Sequence, residues 1–180
     1  MNTIADGTAV KTPGKNIFPY IQKNLDDIIT VPDEELVVAF LDIVENHKMV
    51  VENSGLLTVS ALKHLNVQNQ RVVSILSGGN MDIITMSSVV QQGLIFRDRI
   101  FTVSVLLPDK PGMLSKVADV IAKENGNVIK LEHNQFVSIN RSAAVELRIT
   151  LETFGTEHKN QIIKALEEKG YQPKQVRTNI

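Results

Sequence analysis

Val145 to Glu152 alternate without a break: Val145, Leu147, Ile149 and Leu151 are apolar, while Glu146, Arg148, Thr150 and Glu152 are polar. A period of two marks a strand with one wet and one buried face, because successive side chains leave the pleat on opposite sides. Phe101, Val103, Val105 and Leu107 repeat the pattern against Thr102 and Ser104. Two such strands require an apolar layer against them, and the neighbouring segments supply it. Pro108-Asp109-Lys110-Pro111-Gly112 breaks the first strand, after which Leu114, Val117, Ala118, Ile121 and Ala122 fall on one helix face. Asn125-Gly126-Asn127 stops that helix and starts a strand through Ile129 and Leu131. Ile162, Ile163 and Leu166 mark a second helix, ended by Lys169-Gly170, and Tyr171 to Val176 supplies a last strand. The order is β-α-β-β-α-β, the ferredoxin-like split motif, an α+β unit over residues 101–180. Both helices lie on one side of such a sheet. Its other face is left to be covered, and a second copy is the simplest cover.

The preceding residues follow a different grammar. Asp27 to Val31 is a short β-rich run, followed by Pro32-Asp33-Glu34-Glu35, whose acids suit the positive start of a helix. Leu36, Val37, Phe40, Leu41 and Val44 recur at helical spacing and leave Glu35, Asp42 and Glu45 on the wet side. Leu57, Ala61, Leu62 and Leu65 predict a second helix, and Val72-Val73-Ser74-Ile75-Leu76 a buried strand. Ser77-Gly78-Gly79-Asn80 turns that strand into a helix carrying Ile83, Ile84, Met86, Val89 and Val90. Strands separated by helices predict α/β packing, but two strands are too few for a free-standing domain, so this half reads as incomplete. Gly93 is placed as the C-cap of the last helix. The expected boundaries are a first portion over 1–95, a linker over 96–100 and the α+β unit over 101–180.

Composition narrows the classes of function. A net charge of −1 over 180 residues argues against nucleic-acid and membrane-surface partners, and aromatic residues at 4% give no stacking platform for single strands. No apolar run reaches the ~20 residues that cross a bilayer. Cysteine is absent, which excludes disulfides and thiolate chemistry and fits a cytoplasmic protein. The amino terminus from Met1 to Gly7 has no signal-peptide pattern. His47, His64, His133 and His158 are scattered and show no metal-ligand spacing; they read as surface histidines, with no metal site. Serines and threonines lack a nucleophile elbow. Asp26-Asp27, Glu34-Glu35 and Glu167-Glu168 read as a loop, a helix start and a solvated face.

Two readings stand for each remaining candidate. Ser77 either caps the helix after Gly79 or meets the polar edge of a ligand at the carboxyl end of the sheet. Glu52 is either an N-cap or a buried acid with a polar partner. Asp109 caps the helix near Gly112, and Asn127 forms a turn, unless both belong to a small-molecule site. There, helix-start amides would take a carboxylate and Asp109 or Asn127 an amine.

Taken in order, these segments resemble the carboxyl-terminal part of a pyridoxal-phosphate-dependent threonine dehydratase with an appended ACT regulatory domain. The matching residues are Thr3-Ile4-Ala5-Asp6-Gly7, Lys11-Thr12-Pro13-Gly14, Asp27-Ile28-Ile29-Thr30-Val31 with Asp33-Glu34-Glu35, Val50-Val51-Glu52 with Ser54-Gly55, and Val73 through Asp82. Leu107 to Gly112, Gly126-Asn127-Val128, Glu132-His133 and Leu151-Glu152-Thr153 are similar to the ACT part. The resemblance implies an incomplete fold-type-II tail, then an ACT domain. It implies an enzyme that, whole, deaminates threonine or serine to a 2-oxo acid and ammonia. Ser77 would then bond the pyridine nitrogen of the cofactor, Gly7 would lie near its ring, and Glu52 would order the site. Asp109, Gly112 and Asn127 would bind an amino-acid effector between two ACT copies, so a homodimer or higher homo-oligomer is expected. The family's cofactor-bearing lysine, in a Ser-Phe/Tyr-Lys context, and its glycine-rich phosphate loop have no match here. None of Lys11, Lys15, Lys23, Lys48 or Lys63 has that context. Hence no catalytic residue and no covalently held cofactor are expected in this chain, which reads as a truncated or split frame. The alternative is a stand-alone ACT amino-acid sensor or oligomerisation module. Asn53 and Leu56 depart from the family's proline and alanine.

Overall fold

The computed structural model describes residues 2–135 and 145–179; Met1, where the expected amino-terminal pattern begins, and the last residue of the expected 101–180 unit lie outside them. The chain divides into two compact units, Met1–Gly93 and Leu94–Ile180.

The second unit follows the alternation read from the sequence. Strand β1 (Ile100–Leu107), helix α5 (Met113–Lys123), strands β2 (Asn127–Asn134) and β3 (Val145–Glu152), helix α6 (Thr156–Glu168) and strand β4 (Lys174–Val176) build an antiparallel sheet in the order β2-β3-β1-β4. Val103 opposes Ile149, and Val105 opposes Leu147, so the odd-numbered apolar residues of both strands share one face. They bury against Val117, Val120 and Ile121 of α5 and Ile162 and Leu166 of α6. Val120 takes the core place expected of Ala122, which is exposed together with Leu114. The last strand forms only at Lys174–Val176, where it meets β1.

The opposite face carries polar groups that bond one another. Thr102 and Thr150 share a hydrogen bond of 2.9 Å, Ser104 donates to Glu146 at 2.6 Å, and Arg148 pairs with Glu146 at 3.1 Å. A face whose polar groups bond one another has little apolar area to hide. Ser104 and Arg148 hold the Glu146 carboxyl below the usual glutamate range, against the opposing effect of its burial.

The first unit is helical among its described residues: α1 (Phe18–Asn24), α2 (Asp33–His47), α3 (Leu57–Ser60) between 3-10 turns at Asn53–Leu56 and Ala61–His64, and α4 (Ile83–Phe96). Helix α2 buries Leu36, Val37, Phe40 and Leu41 as its spacing predicts, together with Ala39 and Ile43, while Val44 is half-buried. Its first acid serves another segment: Asp33 accepts from the Thr3 hydroxyl and from the Ile4 amide at 3.0 Å, tying down the amino-terminal stretch. The expected single helix after Gly55 is broken into short turns, with Leu56 fully buried.

Neither expected strand forms. Asp27–Val31 and Val72–Leu76 join no ladder, and Val73 and Ile75 are exposed rather than buried. Alternation equips a segment for a sheet, but a strand exists only by pairing, and no described segment of this unit pairs with either. Gly93 is also not a C-cap. It lies inside α4, where a Cβ would stand 2.6 Å from Leu41 Cδ1 and 3.3 Å from Val37 Cγ1, so its missing side chain admits α2.

Candidate functional sites

Three stretches far apart in the chain meet at Glu52. Its Oε1 accepts from the Ser54 hydroxyl at 2.7 Å, and its Oε2 accepts from the Asn80 amide at 3.2 Å. The Glu52 amide donates to the Gly78 carbonyl at 3.3 Å. Glu52 occupies the N-cap position of the 3-10 turn without a side-chain capping bond, and it is half-buried rather than buried, with its carboxylate on polar partners. Gly78 sits at φ 79°, and a Cβ there would stand 2.2 Å from Glu52 Cδ. Only glycine combines that backbone with that approach. Gly7 comes to the same place: a Cβ on it would lie 2.7 Å from Ser54 Oγ and 3.6 Å from Glu52 Oε1. Gly55 lets the Ser77 carbonyl cross directly above it, where a Cβ would lie 1.8 Å from that oxygen.

Ser77 is exposed, and its hydroxyl has no partner among the described residues. It does not cap α4. Asp82 does: its Oδ1 accepts from the Ile84 and Thr85 amides at 2.9 and 3.0 Å, and Oδ2 accepts from the Thr85 hydroxyl. The Thr85 hydroxyl and then its amide hold the Asp82 carboxyl below the ordinary aspartate value. An acid directly before an apolar helical run was the signal for this cap.

In the second unit, the 108–112 turn and the start of α5 border an open cavity of about 320 Å³. Asp109, Gly112, Met113 and His133 line it over an apolar floor of Leu107, Val145 and Leu147. Gly112 is the α5 N-cap, at φ 83°. Asp109 makes no capping bond; its carboxylate is exposed beside the cavity. The Leu114 and Ser115 amides belong to the helix's first turn, which has no intrahelical acceptor for them. Asn127 lies elsewhere. It begins β2 opposite Glu152, donates to that carboxylate at 3.0 Å, and so stands at the far end of the sheet from Asp109 in the same copy.

Two anchors escaped the sequence reading. His158 is not a surface histidine but 9% exposed: its Nδ1 accepts from the Phe154 amide at 3.1 Å, and its other ring nitrogen meets the Glu124 carbonyl at 2.6 Å. Asp98, in the expected linker, accepts from Lys159 and Thr156, both at 2.8 Å, while Arg99 and Thr153 exchange backbone and side-chain bonds. Neither residue carries a local pattern that announces burial. His47, His64 and His133 are exposed, and among the described residues no group of three or more potential metal ligands occurs. No helix among them is long and apolar enough to cross a membrane. Asn53 donates to the Ile4 carbonyl at 3.1 Å, and its buried Oδ1 has no partner.

Comparison with known proteins assigns both units. Residues 1–78 match the family described as pyridoxal-phosphate dependent enzyme, and residues 101–170 match the ACT domain. L-threonine ammonia-lyase of Geobacter sulfurreducens is 37% identical over 171 residues, which is 94% of this chain and 42% of that protein. L-threonine ammonia-lyase of Thermotoga maritima is 32% identical over 94% of this chain and 43% of its own length. L-threonine dehydratase biosynthetic IlvA of Pasteurella multocida is 32% identical over 93% of this chain and 32% of its own length. The chain thus spans less than half the length of these relatives. It joins residues similar to a portion of the pyridoxal-phosphate dependent enzyme family to an ACT domain, in the arrangement of the carboxyl-terminal part of a threonine dehydratase.

Proposed function

We propose that this chain is the regulatory part of a threonine dehydratase and carries one side of its cofactor site. The whole enzyme would convert threonine, or serine, to a 2-oxo acid and ammonia in the cytoplasm. The observation that carries the reading is the convergence of Gly7, Glu52 and the Ser77–Asn80 turn, of which Gly7, Glu52, Ser77 and Gly78 lie in the residues that match the family.

Pyridoxal phosphate fits this side of a site. Ser77 offers an unpartnered hydroxyl able to donate or accept at a ring nitrogen, while Gly7 and Gly78 admit the Ser54 and Glu52 side chains that shape the turn beside it. Glu52, with both oxygens engaged, orders the turn rather than acting as a base. When bound, the cofactor supplies an electron sink for elimination at an amino acid, and a neutral hydroxyl at its nitrogen suits that chemistry better than a carboxylate. Without the family's lysine, this chain alone holds no covalent cofactor and turns over no substrate. Purified chain incubated with pyridoxal phosphate and borohydride tests this: a trapped lysine adduct, or 2-oxobutanoate from threonine, contradicts the reading.

The ACT unit binds an amino acid and joins two copies. Strand β2 is a sheet edge with all eight residues exposed, Val128, Ile129 and Leu131 among them. Antiparallel pairing of β2 with β2 of a second copy brings that copy's Asn127 to the Asn134 end of this one, beside the 108–112 cavity. The two halves of the predicted site, separated within one copy, then meet across a twofold axis. Helix-start amides take the carboxylate, and Asp109 or Asn127 the amine. Calorimetry with isoleucine, valine, threonine and serine is expected to give heat with at least one of them, lost in Asp109→Ala and in Asn127→Ala. No heat from any of the four refutes it.

A second reading has its own observation: the cavity is built within the ACT unit alone. On that reading the chain is a stand-alone sensor. Amino-acid binding that persists in Ser77→Ala, with no pyridoxal phosphate binding in either protein, would favour it.

A further inference from the structure

Thr102 and Thr150 are buried on the face of the ACT sheet that no helix covers. They are 5% and 4% exposed, although by alternation they point away from Val103, Ile149 and the layer of α5 and α6. They floor a cavity of about 40 Å³ whose rim is Lys130, Glu132, Arg148, Arg177 and Asn179. The strand register explains the gathering. Lys130 opposes Thr150, Thr150 opposes Thr102, and Thr102 opposes Val176, one row across all four strands. Lys130 enters this row from one edge of the sheet. Arg177 follows Val176 at the other, about 14 Å away by strand spacing.

The row holds more donors than acceptors. The two threonine hydroxyls carry a proton each and share one hydrogen bond of 2.9 Å, and no other described residue takes the second proton. Lys130 meets Glu132 at 3.0 Å, and Arg148 meets Glu146 at 3.1 Å. Both cations keep further donors, since an ammonium has three and a guanidinium five. The Arg177 guanidinium and the Asn179 side-chain amide have no partner among the described residues. Lys130, Arg148 and Arg177 outnumber the carboxylates of Glu132 and Glu146, so the group keeps a net positive charge. Donors over a buried floor call for an acceptor from outside, and an acceptor that meets them from several directions is a compact oxyanion. The cavity, about 40 Å³, exceeds the ~10–15 Å³ that one water needs.

We propose that this pocket binds a phosphate group, as the free ion or as a small monoester, and clips the 176–179 segment to β2 and β3. Lys130, Arg148 and Arg177 neutralise the anion, and one threonine hydroxyl donates from the floor. An amino acid is a poorer fit, because its ammonium group would meet cations. The pocket shares no lining residue with the 108–112 cavity. Arg177 and Asn179 lie outside residues 101–170, the stretch that matches the ACT domain, so that match does not contain the site. The proposal depends on neither the cofactor reading nor the amino-acid reading.

Titration of the full chain with inorganic phosphate, and separately with glycerol 3-phosphate, tests it at constant ionic strength through amide chemical shifts. Saturable shifts centred on residues 102, 130, 150 and 177 are expected, with a Kd of about 1 mM or below. Arg177→Gln and Lys130→Gln, both at exposed positions, should each weaken binding about tenfold. Lys123→Gln, on the exposed side of α5, should leave it unchanged. At ten times Kd, mass action should slow hydrogen exchange in β4 about tenfold. Arg177→Gln should remove that slowing, which distinguishes it from the general stabilisation phosphate gives by its exclusion from protein surfaces. Tighter binding of glycerol 3-phosphate assigns the pocket to a monoester, tighter binding of inorganic phosphate assigns it to the free ion, and either supports the proposal. Three outcomes overturn it. One is no saturable shift with either anion up to about 10 mM. Another is undiminished binding in both Arg177→Gln and Lys130→Gln. The third is binding lost in Asp109→Ala, which would move it to the 108–112 cavity.

Discussion

Gly55→Ala puts the packing of the Ser77 turn at risk. A Cβ at residue 55 would lie 1.8 Å from the Ser77 carbonyl oxygen, 2.9 Å from the Ser77 carbonyl carbon and 2.9 Å from Val51 Cγ1. Two of the three are backbone atoms, so no rotamer change removes the clash. The chain at Ser77 must move by more than an ångström to reach van der Waals distance. Overpacking in a buried place costs about 1–3 kcal/mol. The displacement also breaks the Glu52 amide bond to Gly78 and the Asn80 amide bond to Glu52. At about 0.5–1.5 kcal/mol each, the total loss is about 2–6 kcal/mol, a large share of the ~5–15 kcal/mol that holds a domain together. Because the chain has two units, a single melting curve does not serve. Hydrogen exchange read by segment does: protection in α2 and α4 should fall by the full amount, while β1 and β3 stay as they are. Unchanged exchange at residues 78–80 together with unchanged protection of α2 would refute the reasoning, because it would mean that the turn does not rest on Gly55.

Gly93→Ala sets a gain of about 1 kcal/mol in helix propensity against an overpacking loss of about 1–3 kcal/mol at Leu41, so local exchange in α4 should show a net loss; a stabilised α4 would restore the C-cap reading. Ser104→Ala removes the main interaction that lowers the Glu146 carboxyl. A lowered pKa contributes stability above the unfolded value and loses it as pH falls through the folded one. The acid limb of ACT-unit melting, followed between about pH 2 and pH 6, should therefore move to higher pH in the variant, and coincident curves would exclude it. Asp98→Ala strips Lys159, whose side chain is 12% exposed, of its carboxylate. A cost of about 2 kcal/mol to the ACT unit is expected by denaturant titration, against no change if the pair is incidental.

Legibility differed between the halves for a physical reason. The alternation of β1 and β3 and the α5 and α6 faces are written within stretches of 8 to 13 residues, and each names its own element. What the alternation could not show is how the polar face is settled, since that depends on register: Thr102 meets Thr150, and Ser104 reaches Glu146 beside Arg148. In the first unit, Leu36 through Val44 announced α2. Gly93 misled because a glycine near a helix end and a glycine under a crossing helix look alike until the second helix is placed. Ser77 and Asp82 both offered oxygens to the start of α4, and only the backbone path awarded the cap to Asp82.

The sequence by itself determined the β-α-β-β-α-β order of the second unit and the apolar face of α2, both of which depend on side-chain type and local period. It offered Glu52, Ser77, Asp109, Gly112 and Asn127 as candidates, and Gly7 through the family resemblance alone. Tertiary structure decided which of those residues meet. Gly7, Glu52 and Gly78 come together because glycines permit distances that a Cβ would forbid, and Asn127 is parted from Asp109 because β1 and β2 run in the same direction through β3. It also decided that Val72–Leu76 and Asp27–Val31 are not strands. A strand is a relation between two backbones, and no single segment contains it.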